Sequence, residues 1–241
     1  MGSLLLPLLG LLAASALPGV AAEMKTNPKA VLELFTSQGC SSCPPADALL
    51  KSMQQRPDII TLAYHVDYWD YTGWTDTFDG KAYTDRQRAY ATAWGSSDIY
   101  TPQLVINGRK DVVGSRRNDV EREINEASLA IPVSLTIASD MLEVSIDGKP
   151  GEPESAVWLV TYIEKATVPV DHGENAGKSL PYTQIVTGRH VLGMWDPQTG
   201  AHLKLPISEV LSNPSNGAVI LVQGEKGGLP GPIMGAASFL K

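Results

Sequence analysis

The sequence predicts an α/β N-terminal domain followed by a mostly antiparallel, sandwich-like all-β domain. Three observations predict it. A C-x-x-C stands between an apolar run that reads as a strand and a segment with helical periodicity. The pattern then continues as β-α-β-β-α. Beyond Ile131 the apolar residues alternate with period two, and no helical periodicity of useful length remains. The 241 residues suffice for one large or two small domains. The change of texture divides the chain into residues 23–130 and 131–241.

Residues 1–22 read as a signal peptide, outside the fold. Leu4 to Leu17 is apolar but too short to span a bilayer. Val20-Ala21-Ala22 supplies the small residues that suit cleavage before Glu23, although the n-region holds no Lys or Arg. No lipobox cysteine follows and no other apolar run reaches membrane length. The expectation is a secreted or periplasmic protein with no stable membrane anchor. Such a compartment is oxidising and suits a cysteine pair that must cycle. Hydrophobic content of 43% and charged content of 19% are ordinary for a globular chain. The formal net charge of -7 argues against nucleic acid or an anionic membrane surface as the main partner.

Ala30 to Phe35 is the first strand. Ala46, Leu49, Leu50 and Met53 mark one face of the helix that follows, with Pro44 and Pro45 in its first turn. Arg56-Pro57-Asp58 ends it. Ile59 to Val66 is near-continuously apolar, as in a parallel strand covered on both faces. The aromatic loop Asp67 to Trp74 lies at that strand's C-terminal end, where ligands bind in open α/β sheets. Thr84 and Gln87 form a capping-box pattern for a helix to about Trp94. Gln103 to Ile106, Asn107-Gly108 and Lys110 to Val113 read as a hairpin. Asn118 is placed to cap a last helix carrying Val120, Ile124 and Ala127.

The C-x-x-C of Cys40 and Cys43 thus sits at a strand-to-helix junction. Helix N-termini and this spacing both lower a cysteine pKa, and the thiolate is the nucleophile of disulfide exchange. Cys40 is expected as the exposed attacking thiol and Cys43 as the buried resolving one. A purely structural disulfide here would close a loop of four residues, worth about 2 kcal/mol by chain entropy. A zinc half-site would need two more Cys or His ligands. The chain has no further cysteine, and His65, His172, His190 and His202 are scattered.

The element order, the C-x-x-C after the first strand and Thr101-Pro102 before the third resemble the thioredoxin fold. Leu34 to Asp47, His65 to Asp70, Tyr100 to Gln103, Glu174 to Gly177 and Gly231 to Ala236 resemble the secreted bacterial family filed as domain of unknown function 1223. The first resemblance implies a thioredoxin-like domain; the second implies no established reaction. By the thioredoxin resemblance, Cys40 matches the attacking cysteine, Cys43 the resolving one, and Pro102 the cis-proline that faces them. The pair is separated by Ser-Ser, without the Gly-Pro or His of known relatives. In place of a buried Asp on the preceding strand stands Glu33. Pointing inward it would relay a proton to Cys43; pointing outward it is a surface charge.

Trp69, Tyr68, Trp74 and Tyr71, with Thr101, either form a substrate platform or pack the loop onto the core. His65 is either a strand-end histidine satisfied by its neighbours or, with Cys40 and Cys43, the third ligand of a copper site. In the second half, Val133 to Ile137 and Leu142 to Ile146 read as a hairpin. Further strands are expected at residues 156–163, 182–194, 218–223 and 234–240. Residues 164–181 read as a long polar loop. It is either a wall of the redox site or partner contact, or a mobile surface loop.

Three functions fit these features. The first is an exported thiol–disulfide oxidoreductase whose redox-active disulfide serves in place of a bound cofactor. It would act on protein or small-thiol disulfides and be reset by an external redox partner, because no third cysteine relays electrons. The second is a copper-binding or delivery module. The third is a non-catalytic interaction protein.

Overall fold

The computed structural model describes residues 22–241; the expected signal peptide, residues 1–22, lies outside them except for Ala22. Strand β1 (Glu23–Thr26) leads into β2 (Ala30–Thr36), α1 (Pro44–Gln54), β3 (Ile59–His65), α2 (Lys81–Ala93), β4 (Gln103–Ile106), β5 (Lys110–Val113) and α3 (Arg117–Glu126). The second half holds β6 (Val133–Ala138), β7 (Met141–Ile146), β8 (Ser155–Val170), β9 (Lys178–Trp195), β10 (Ala201–Pro206), a single helical turn at Ile207–Val210, β11 (Gly217–Lys226) and β12 (Leu229–Leu240). The fold is mixed α/β with strands predominating. No helix of the described residues is long and apolar enough to cross a membrane.

Two sheets organise the chain. One has nine strands in the order β1-β12-β11-β8-β9-β3-β2-β4-β5, the other three in the order β10-β7-β6. β2 and β3 are parallel, as the α1 crossover requires, and β4 and β5 add antiparallel strands at one edge. The hydrogen bonding does not stop at the chain's change of texture. β9 pairs in parallel with β3 at Ile185 and Ala63, so strands from both halves share one sheet. The three-stranded sheet covers part of the β8–β11–β12 region. Leu142, Val144 and Ile146 of β7 cluster there with Val157, Ile220, Phe239 and the fully buried Trp195.

Alternation along β2 decides what lies on either side of the nine-stranded sheet. Ala30, Leu32 and Leu34 pack against Ala46, Leu49, Leu50 and Met53 of α1 and against Val120 and Ile124 of α3. Val31 and Phe35 point the other way, toward Tyr64, Val105 and Tyr90 of α2. Successive side chains of a strand point to opposite faces, so this division follows directly from the order of residues.

Two helix starts differ from the sequence reading. α2 begins at Lys81, because the Thr84 hydroxyl donates to the Asp67 carboxylate instead of capping a helix. α3 begins at Arg117, with Asn118 inside its first turn. The polar stretch 164–181 is mostly strand. β8 and β9 pair from Ser155 with Trp195 to Val170 with Lys178, which leaves only residues 171–177 as a tip. Their alternating apolar residues Val168, Val170, Leu180 and Tyr182 form a small cluster of their own.

Candidate functional site

Cys40 and Cys43 form a disulfide in the turn between β2 and α1. Cys43 is the N-cap of α1, and Pro44 and Pro45 follow as its first two residues. Prolines carry no N–H, so they remove two of the donors that a helix start would offer to a thiolate. The Ser42 hydroxyl lies 3.3 Å from Cys40 Sγ and supplies a local partner. Pro102 follows a cis peptide bond. The β2–β4 register, with Phe35 opposite Gln103, sets Pro102 beside Thr36 at the end of the strand that leads into the cysteine turn.

The expected exposure of Cys40 is not found: both cysteines are 0% exposed. The tip of the β8–β9 hairpin covers them. Asn175, itself 0% exposed, donates through Nδ2 to the carbonyls of Gln38 (2.9 Å) and Cys40 (3.0 Å). Lys178 Nζ donates to Asn175 Oδ1 and fixes the amide. Glu174 accepts the N–H of Ser41 at 3.1 Å, and hydrogen bonding by Ser41 holds its carboxyl below the usual range. The stretch that reads as a loop is therefore a docked cover, and exposure does not distinguish the roles of the two sulfurs.

Beneath the turn lies a buried polar cluster. Asp47 sits one helical turn beyond Cys43, on the face of α1 that meets the sheet. It is 7% exposed and neither carboxylate oxygen has a hydrogen-bond partner. Burial pushes its carboxyl up to about 7, against the opposing pull of His65. His65 Nδ1 binds Asp76 at 2.8 Å, and the ring lies edge-on to Tyr182 of β9 with centroids 4.8 Å apart. Asp76 also accepts the N–H groups of Gln38 and Phe78. Burial opposes ionisation of Asp76, but His65 and these N–H groups outweigh it and hold its carboxyl below the usual range. Tyr182 is pushed up by burial and by the charges of Asp47 and Asp76. Thr36 Oγ1, His65 Nε2 and the Tyr182 hydroxyl are buried with no partner among the described residues.

Glu33 is not part of this cluster. It is fully buried, but on the α2 face of the sheet, because it alternates with Leu32 and Leu34 on the α1 face. Arg86 donates to Glu33 Oε1 at 2.7 and 2.9 Å, and the Tyr90 hydroxyl donates to Oε2 at 2.6 Å. Both oxygens are committed to an ion-pair network. The proton-relay alternative for Glu33 is corrected accordingly; the buried carboxyl one helical turn beyond Cys43 is Asp47.

The aromatic loop joins the site. Trp69 Nε1 donates to Thr101 Oγ1 at 2.7 Å, which ties the loop to the residue before the cis-proline. Trp69 packs over Gly39, where a Cβ would meet the Trp69 Cβ at 3.0 Å. Tyr71 stacks on Trp69 and is 81% exposed. Tyr68 is half-buried. Trp74 Nε1 donates to Gln38 Oε1 and braces the cysteine turn. Among the described residues, no group of three or more His, Cys, Asp or Glu side chains is arranged to hold a metal ion. His65 has its Nδ1 on Asp76.

A family model described as a protein of unknown function, DUF1223, matches residues 31–223. No curated protein matches the chain. Among solved structures, the crystal structure of protein AGR_C_4864 from Agrobacterium tumefaciens is similar at 36% identity and a TM-score of 0.80. The match covers 89% of this chain and 95% of that one. HBP35 of Porphyromonas gingivalis shares the fold at 14% identity and a TM-score of 0.57, with 90% of this chain and 76% of that one covered.

Proposed function

This chain belongs to the DUF1223 family, and we propose that it is an exported thiol–disulfide oxidoreductase built on a thioredoxin-like unit. The observation that carries the reading is the Cys40–Cys43 disulfide at a strand-to-helix turn, with the buried carboxyl of Asp47 one turn beyond. The order β2-α1-β3-α2-β4-β5-α3 and the cis bond before Pro102 support the thioredoxin-like part. The leader-like residues 1–22 support export.

In the proposed exchange a substrate thiolate attacks Cys40 Sγ and the Cys40–Cys43 bond breaks. Cys43 leaves as a thiolate and takes the proton that Asp47 holds near neutral pH. A second substrate thiolate then attacks the mixed disulfide and releases Cys40. Two electrons pass from the substrate dithiol to the cysteine pair; run in reverse, the same steps reduce a substrate disulfide. An external thiol or protein resets the pair. Trp69, which packs over Gly39, and Thr101, to which it is bonded, support a substrate contact beside the turn, with Tyr68 next to Trp69 in the chain as a further candidate.

The hairpin tip must lift for any of this to occur. A thiolate forming at Cys40 would stand near the Glu174 carboxylate that already occupies the Ser41 N–H. The like charges would weaken the docked state once the pair is reduced. The reading is tested with single substitutions exposed to disulfide-bearing proteins and resolved on a non-reducing gel. Cys43→Ser should accumulate mixed disulfides through Cys40, and Cys40→Ser should not. Equal trapping would refute the assigned order, and no trapping by either would refute the exchange itself.

A further inference from the structure

A cleft of about 620 Å³ lies between α2 and strands β8 and β9, on the sheet face opposite α1. Its size is that of a small-molecule site. At its floor is Arg189. The guanidinium stacks on Trp158 with Cζ 3.1 Å from the ring centroid, and Nη2 donates to Gln223 Oε1 at 2.9 Å. Among the described residues Nη1 has no hydrogen-bond partner, and no carboxylate lies within ion-pair distance of Arg189.

The charges around it do not cancel. Glu33 is the carboxylate of this cluster, and Arg86 and Tyr90 occupy both its oxygens. Arg86 Nη2 also donates to the same Gln223 Oε1 that Arg189 uses. Two guanidinium groups therefore converge on one amide with one carboxylate, which pairs with Arg86, and leave a net positive charge on the half-buried Arg189. Burial and the like charge of Arg86 bring Arg189 down to about 10. A half-buried charge with no carboxylate partner is incompletely compensated, and arginine is suited to recognising carboxylates. The Nε atoms of Arg189 and Trp158 are also buried without partners. The polar inventory of this cleft is incomplete in a way that an anion would complete.

We propose that this cleft binds a small monocarboxylate with an apolar body, its carboxylate on Arg189 Nη1 and its body against Trp158, Tyr83 and Pro230. The rim decides the charge of the ligand. Asp79, Asp85 and Glu225 border the opening; Lys81 pairs with Asp85, and the remaining excess of carboxylates disfavours phosphates or other multiply charged anions. Of the two unpaired guanidinium nitrogens of Arg189, Nε is buried and Nη1 is not, so one accessible nitrogen matches a single carboxylate oxygen. The site lies on the opposite sheet face from the cysteine turn and stands independently of the redox reading.

The test is calorimetry on the whole chain with 2-naphthoate, its neutral amide and inorganic phosphate. Naphthoate should bind one to one, at least about tenfold tighter than the amide, as expected for a charge-assisted hydrogen bond. A tenfold excess of phosphate should not displace it. Arg189→Met should abolish the preference for acid over amide. Ala82→Trp, at an exposed position of α2 on the cleft, should weaken both ligands without disturbing the fold. No binding of naphthoate, equal binding of acid and amide, unchanged binding by Arg189→Met, or displacement by phosphate would each overturn the proposal. Should Arg189→Met fail to fold, the acid-to-amide ratio in the wild type together with Ala82→Trp decides.

Discussion

Replacing Asn175 with alanine tests whether the hairpin tip controls the disulfide. The Asn175 amide donates two buried hydrogen bonds to carbonyls of the cysteine turn. Each such bond contributes about 0.5–1.5 kcal/mol net, so the docked tip should lose about 1–3 kcal/mol relative to the lifted one. In the lifted state the Gln38 and Cys40 carbonyls are hydrated; in the docked variant they face a methyl group. At about 1.4 kcal/mol per tenfold, the lifted population should rise roughly 5- to 150-fold. When lifting precedes attack, the rate of reduction by a small dithiol should rise by the same factor. The assay is reduction under dilute dithiothreitol, with released thiols trapped by a maleimide and counted by mass. Global stability must be followed alongside, because a variant that unfolds throughout would also react faster. A folded variant reduced within twofold of the wild-type rate would show that the tip does not gate the pair.

Asp47→Asn should change how stability depends on pH. The native carboxyl is pushed up to about 7 from a usual value of 3.8, so between these values the folded chain holds a proton that the unfolded chain releases. The stabilising contribution is complete below the lower value and is lost as pH rises through about 7, amounting to about 4 kcal/mol. Denaturant titrations should therefore show the variant gaining stability relative to wild type from pH 4 to 7; a constant difference would contradict the protonated assignment. Glu33→Ala should destabilise by about 3–5 kcal/mol, because it leaves Arg86 buried without its carboxylate. Alkylation of the reduced cysteines in the folded variant should proceed at the wild-type rate, and a changed rate would return Glu33 to the site.

Periodicity made much of the fold legible. Gln103–Ile106 and Lys110–Val113 are where the Asn107-Gly108 turn sets them, and α1 follows its apolar stripe. The single helical turn at Ile207–Val210 and the edge strands β1 and β10 were less visible, being short or polar on one side. The joining of β9 to β3 depends on a parallel contact between distant residues, which no local pattern encodes. The cysteine pair was plain in the sequence. Asp47 carried a readable signal, an acidic residue four positions after Cys43 beside the apolar Ala46 and Leu50. Asn175 and Glu174 lay in the Glu174 to Gly177 stretch that carries the family resemblance, but a polar loop reads the same whether it is a wall of the site or solvated, so their docking was not legible. Glu33 was ambiguous because strand parity puts it on a face whose cover, α2, arrives from 53 positions away.

The most direct test of the account is the midpoint potential of the Cys40–Cys43 pair, measured by equilibration in graded thiol–disulfide buffers with trapping at each point. An exchanging pair should titrate reversibly with a two-electron midpoint between about −270 and −120 mV, the range of disulfide reductants and oxidants. A midpoint below about −300 mV, where structural disulfides lie, would contradict the claim that this disulfide cycles.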